Sequence, residues 1–208
     1  MIEFVVASHD ESILKENIFK SDIYYKNYRF TIMRGYNNVS KAYNDAKELL
    51  SGDIVIYLHH DLLLPVTFEH ELLTALKYID DNFGVLGIAG VNYNSHRTIH
   101  GYLNDRGRIW GSPYNLPAEV QTLDEVLLIT HGDIVFDEYL STDFYGADIC
   151  LTATTQGRKN YAINAFCHHN SNRVVGGRTE SFYKCQEYFK EKWKDYLPVA
   201  TTCSILEK

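Results

Sequence analysis

Three short polar runs hold the residues whose types and positions can do chemistry. His59-His60-Asp61 closes the apolar run Asp53-Ile54-Val55-Ile56-Tyr57-Leu58. A carboxylate at a strand end can hold a divalent cation, and that cation can bridge two phosphates of a nucleotide diphosphate. His168-His169-Asn170-Ser171 follows a second apolar run. A neutral imidazole is a common metal ligand, so Asp61 and a histidine of this pair can share one ion. Neighbours on a strand face opposite ways, so only one of the pair would face such a site. Asp143-Phe144-Tyr145-Gly146-Ala147-Asp148 opens a predicted helix. Asp148 is there either a helix N-terminal charge or a general base for an acceptor hydroxyl. Read blandly, the first run is a charged turn and the second a polar loop.

The elements around these runs follow from hydrophobic period and breakers. Phe4-Val5-Val6-Ala7 reads as a buried strand, followed by a polar cluster and a helix carrying Ile13, Leu14 and Ile18. Residues 28–33 read as a second strand. Asn38 or Ser40 can cap a helix bearing Ala42, Ala46, Leu49 and Leu50, with Gly52 as its stop. Residues 53–58 form the clearest strand. Pro65 then starts a helix with Phe68, Leu72, Leu73, Leu76 and Ile79 on one face, and residues 85–90 read as one more strand. This alternation predicts an α/β fold with a mostly parallel sheet, which binds ligands beyond the carboxyl ends of its strands. Residues 91–122 show no strong period and read as an irregular excursion or hairpin over the site. Strands are expected within 123–135, a turn at 136–138, a helix over 147–155, a last strand over 161–166 and a helix over 181–193.

Bulk properties narrow the class. The chain has 208 residues, 45% of them apolar, and a net charge of −7 with no Lys/Arg-rich run. That composition fits one globular domain and excludes a typical nucleic-acid binder. An acidic protein can still bind a phosphorylated ligand through a metal. The 16 tyrosines suit either a groove for sugars or bases, or the packing of strands. Cys150, Cys167, Cys185 and Cys203 lack zinc or redox spacing and read as reduced thiols. With no signal-peptide pattern and no apolar run long enough for a transmembrane segment, the expected location is cytoplasmic.

The order of these runs resembles the family 2 glycosyltransferases, within them a bacterial glycosyltransferase-like subgroup. Residues 4–10 look like that group's first strand and donor loop. Residues 38–44 look like its helix ending in an Asn near the nucleotide, and residues 57–65 like its metal-binding segment. Gly87-Ile88-Ala89-Gly90, Asp124-Glu125-Val126, Phe136-Asp137-Glu138, residues 145–151, His168 to Ser171 and Lys192-Trp193 continue the match over nearly the whole chain.

The resemblance implies a single GT-A domain over 1–208. Residues 1–90 would form the nucleotide-sugar half, and 91–208 the acceptor half with a C-terminal helix. It implies an inverting transfer from a nucleotide-sugar donor, UDP-linked by preference, to a glycan or other hydroxyl acceptor, as in polysaccharide biosynthesis. It places Mn²⁺ or Mg²⁺ on Asp61 with His169 or His168, and with His59 as a further ligand. Ala7, Ser8, His9, Glu11, Asn38, Lys41, Asn44, His59 and His60 would serve the nucleotide-sugar, with Asn44 near the base or ribose. Asp148 would be the catalytic base, with Asp143 next in line. Where the family carries Asp-x-Asp, this chain reads His59-His60-Asp61, which favours Mn²⁺ over the oxygen-seeking Mg²⁺. The usual Glu-Asp ahead of the acceptor helix reads Gly146-Ala147. Two other readings stay open: a catalytically inactive sugar-nucleotide, glycan or partner module, and a nucleotidyltransferase, although no Gly-rich triphosphate loop appears near residues 7–12.

Overall fold

Phe4, Val5 and Val6 are completely buried, and alternate residues enter two different core clusters. A strand buried on both faces belongs inside a parallel-type sheet. It forms β1 (Ile2–Ser8) in the computed structural model, which describes residues 1–171 and 178–208. Asp10 caps α1 (Glu11–Glu16) by accepting the Ser12 and Ile13 N–H groups. β2 (Arg29–Arg34) follows, and Asn38 caps α2 (Val39–Lys47) by accepting the Lys41 N–H. Next come β3 (Ile54–His59), the short β4 (Leu62–Leu63), α3 (Phe68–Tyr78) and β5 (Val85–Gly87). β6 (Ala89–Tyr93), β7 (Arg97–Asp105), β8 (Arg108–Gly111), β9 (Ala118–Val120), β10 (Thr122–Leu123) and β11 (Leu127–His131) complete the middle of the chain. α4 (Tyr145–Thr155), β12 (Asn160–Ala162), β13 (His168–His169), α5 (Glu180–Lys192), β14 (Val199–Ala200) and β15 (Ile205–Leu206) finish it.

The main sheet has the order β2-β1-β3-β11-β5-β12-β9. β1, β2, β3, β5 and β12 share one direction, while β11 and β9 oppose them. The expected mostly parallel α/β fold is therefore present. A second sheet runs β10-β6-β7-β13-β4, with β8 paired to β7. Among the described residues, no helix is long and apolar enough to cross a membrane.

Several boundaries differ from the sequence expectation, each for a tertiary reason. Residues 85–90 are two strands rather than one: β5 joins the main sheet and β6 the second, with the break at Ile88. Residues 91–122 hold ordered strands, because β7 pairs with β6, β8 and β13 and takes its order from partners, not from its own period. α2 stops at Lys47 and leaves Leu49 exposed. Its continuation is pulled away where the buried Glu3 carboxylate accepts the Ser51 and Gly52 N–H groups at 2.8 and 2.7 Å. α3 begins at Phe68, not at Pro65, and Leu73 is exposed. The strand expected over 161–166 ends at Ala162, and β13, β14 and β15 follow it.

Candidate active site

β3 delivers His59 to the carboxyl end of the main sheet, and Asp61 follows in the turn before β4. β13 pairs with β4 and β7, in a register that sets His169 opposite both Leu62 and Asp105. The Asn170 N–H donates to the Asp61 carbonyl at 2.9 Å and closes the corner. As a result, ligand atoms of His59, Asp61 and His169 lie within 4.8 Å of one another. His168 takes the opposite face, its ring edge-on to Phe166 at 5.2 Å. The alternation rule thus holds, and the register selects His169.

The electrostatics of the cluster suit a cation. Burial alone would raise the Asp61 carboxyl, but the imidazoles of His169, His59 and His60 outweigh it and hold it below the usual carboxylate range. Burial pushes His59 down and keeps it neutral near pH 7. Burial also opposes charge on His169, yet Asp61, Asp124 and Asp105 prevail and raise it. Asp61 Oδ1 is buried with no hydrogen-bond partner, its nearest imidazole nitrogen, His169 Nε2, lying 3.5 Å away. An orphaned anionic oxygen inside a protein is costly unless something positive meets it. Two imidazoles and a carboxylate whose ligand atoms lie within 4.8 Å of one another fit a divalent metal ion. Asp105 accepts from His169 Nδ1 at 3.0 Å, the carboxylate–histidine support that orients metal ligands. Tyr145 Oη lies 3.1 Å from His59 Nε2 and steadies that ring.

Two cavities lie near the cluster, and His59 and His169 help to wall one of them. One, of about 380 Å³, lies beyond β1 and β2 and includes Ser8, His9, Glu11, Arg34 and Tyr36 in its wall. His60 faces this side: its Nδ1 lies 2.8 Å from Ser8 Oγ, and its ring is 4.7 Å from His9. The other, of about 460 Å³, includes His59, His169, Trp110, Asp124, Glu125 and Asp143 in its wall. In the stretch from Tyr93 to Tyr114, Trp110 rather than a tyrosine reaches this cavity. Tyr43, Tyr57 and Tyr145 instead pack with Phe136 in the core.

The start of α4 shapes the second cavity. Phe144 adopts a left-handed φ of 67°, uncommon for an aromatic residue, and anchors its ring against Phe182 and Phe189. That kink leaves Asp143 in the cavity wall and Tyr145 beneath His59. Gly146 permits close approach, since a Cβ there would meet Leu123 O at 3.0 Å and Glu125 Cγ at 3.2 Å. Burial raises the Glu125 carboxyl and the Asp124 charge adds to it. Together they outweigh backbone hydrogen bonds, including one from Gly146, and bring it to about 8.

Other expected site residues lie elsewhere. Asn44 is committed to the segment before α4: its amide donates to Phe136 O at 2.9 Å and Glu138 Oε1 at 3.1 Å, and accepts from Phe136 N at 2.9 Å. It braces that segment and lines neither cavity. Asn38 caps α2 and donates to Glu138 O, and Lys41 pairs with Asp45 at 3.1 Å. Ala7 sits inside β1 opposite His59 and lines neither cavity. Asp148 is the main correction. It is buried in α4, and its Oδ1 accepts from Trp193 Nε1 and Lys192 Nζ, both at 2.7 Å. A carboxylate held this way ties α5 to α4 and has no opening to the cavity. Asp148→Ala should therefore lower stability by about 1–3 kcal/mol, because the Trp193 N–H loses its acceptor. Urea unfolding would show this, while nucleotide binding stays unchanged. An unchanged unfolding midpoint would return Asp148 to the list of bases.

Asp105 and Glu125 went unassigned in the sequence. Asp105 lies in a stretch without period, and Glu125 was visible only within the Asp124-Glu125-Val126 resemblance.

A mostly parallel sheet with a metal-capable cluster at its carboxyl edge, beside a cavity, is the architecture of the GT-A glycosyltransferases. Residues 4–194 match the Glycosyltransferase like family, and the chain belongs to that family. A relative from Fuscovulum blasticum, ATP synthase subunits region ORF 6, is 29% identical over 162 residues, covering 71% of this chain and 62% of that protein. The chain thus spans less than two thirds of that relative. The mannosyltransferase PcManGT from Pyrobaculum calidifontis, solved with GDP-Man and Mn²⁺, shares the fold at a TM-score of 0.56 and 11% identity, over 96% of this chain and 65% of that one. GalNAc-T7, solved with UDP, GalNAc and Mn²⁺, gives 0.60 and 12%, over 94% and 50%. S. aureus TarS 1-349 with UDP-GlcNAc gives 0.56 and 15%, over 92% and 66%. At these identities the likeness is one of fold.

Proposed function

We propose that this domain transfers a sugar from a nucleotide diphosphate sugar to a hydroxyl of a glycan or similar acceptor, with inversion and with a divalent ion. The observation that carries the reading is the buried Asp61 Oδ1, which accepts no hydrogen bond, within the His59–Asp61–His169 cluster beside a cavity that His59 and His169 help to wall. Asp61, His169 and His59 would hold the ion, Mn²⁺ by preference, and the ion would offset charge that builds on the leaving diphosphate. The cavity walled by Ser8, His9 and Glu11 suits the nucleoside, with His60 between it and the cluster. A UDP-linked donor is the favoured reading, in line with the uridine nucleotides bound by two of the three fold relatives. Glu125 takes the proton from the attacking acceptor hydroxyl, and Asp143 faces the same cavity. A carboxyl near 8 is close to the operating pH, where a base is most effective. Four free cysteines, three of them buried, suit a cytoplasmic setting.

Calorimetric titration of UDP and of GDP, with Mn²⁺ and then with EDTA, tests the donor site. UDP is expected to bind only with Mn²⁺. Binding that ignores EDTA, or no binding to the folded protein, would overturn the metal-held donor.

A further inference from the structure

The chain beyond residue 194 lies outside the family match, yet it reaches the second cavity. β14 and β15 pair antiparallel, and the Thr201 N–H closes their turn by donating to Ser204 O at 2.7 Å. The hairpin is fastened to the fold. The buried Thr122 hydroxyl donates to Ala200 O at 2.5 Å, the Ala200 N–H to Gln121 Oε1 at 3.0 Å, and Arg97 to Thr202 O at 3.1 Å. So fixed, the turn sets Thr202 and Cys203 in the cavity wall. The Thr202 hydroxyl donates to Asp124 Oδ2 at 2.5 Å, while Asp124 Oδ1 accepts the Val126 N–H at 3.2 Å. Asp124 is thus held at both oxygens and still lines the cavity. Trp110 shares that cavity, its ring resting on Gly101, where a Cβ would come within 2.9 Å of it.

An aromatic face beside a fixed carboxylate is the chemistry that recognises a pyranose. The apolar C–H face of the sugar packs on the indole, and its hydroxyls donate to the carboxylate. We propose that the C-terminal hairpin completes an acceptor-sugar subsite in which Trp110 stacks the ring, Asp124 accepts its hydroxyls, and Thr202 is the positioning residue that holds Asp124. The subsite rests on reading the domain as a sugar transferase. It assigns acceptor choice in part to a segment outside the family match.

Cys203 supplies a probe that needs no turnover, because it is exposed while Cys150, Cys167 and Cys185 are buried. The full chain would be alkylated with N-ethylmaleimide alone and with methyl glycosides of glucose, galactose, mannose and N-acetylglucosamine. At least one glycoside is expected to slow alkylation. The concentration for half protection should rise about tenfold in Thr202→Val, where the hydroxyl is lost at constant shape, and return in Thr202→Ser. No protection in the wild type, or equal protection in Thr202→Val, overturns the subsite. Mn²⁺-dependent UDP binding, measured on the same proteins, separates the two readings. Protection without UDP binding keeps the subsite and removes the donor site, and UDP binding without protection does the reverse.

Discussion

Asp61→Ala is expected to remove the proposed Mn²⁺-dependent UDP binding and to leave the fold in place. The fold should survive because the contact that anchors this corner uses the Asp61 carbonyl, and Oδ1 accepts no hydrogen bond and makes only a 3.5 Å ion pair with His169. Binding should fail because the carboxylate is the only anionic member of the three-residue cluster. Loss of an outer-shell support costs metal sites about 10–100-fold, so loss of the ligand itself should exceed that range. Asp105→Asn supplies the graded comparison, since Asp105 orients His169 and is not itself one of the three clustered residues. The pH dependence has a definite sign. His169 is raised by its acidic neighbours, and an ion must displace its proton, so Mn²⁺ affinity should climb as pH rises and fall in acid. Calorimetry of UDP with Mn²⁺ reads all of this, and equal affinity in Asp61→Ala would remove the metal assignment.

Glu125→Gln is expected to cut turnover by about 10²–10⁴-fold while UDP and Mn²⁺ bind as before. The substitution keeps the shape that Gly146 accommodates and removes only the proton acceptor. Wild-type turnover should rise with pH and level off above about 8, because the raised carboxyl becomes a base only as it ionises through that value. In the Gln protein the residual rate should lose this limb. Release of UDP from a sugar donor, followed across pH, gives both readouts. If the limb persists in Glu125→Gln but vanishes in Asp143→Asn, the base is Asp143.

Much of this site was legible in the sequence, for reasons of short range. The apolar run before His59 and the polar break after it depend on residues adjacent in the chain, so the position of His59 and Asp61 at a strand's carboxyl end followed from local pattern. Strand alternation likewise showed that only one of His168 and His169 could face the same side as Asp61. The choice between them came from the pairing of β13 with β4, which no local pattern encodes. Asp148 shows the limit from the other side. Its place at the start of a helix was readable, but its partners Lys192 and Trp193 arrive from α5, and their grip turns a suspected base into a tie between helices. Glu125 enters the site because Gly146 lets α4 press against it. Period, caps and breakers thus set the order of elements and the strand-end cluster, since these rest on geometry within a few residues. Strand pairing and helix packing join residues far apart in the chain, so only the tertiary structure decided which carboxylate faces the cavity beside the cluster and which is locked in the core.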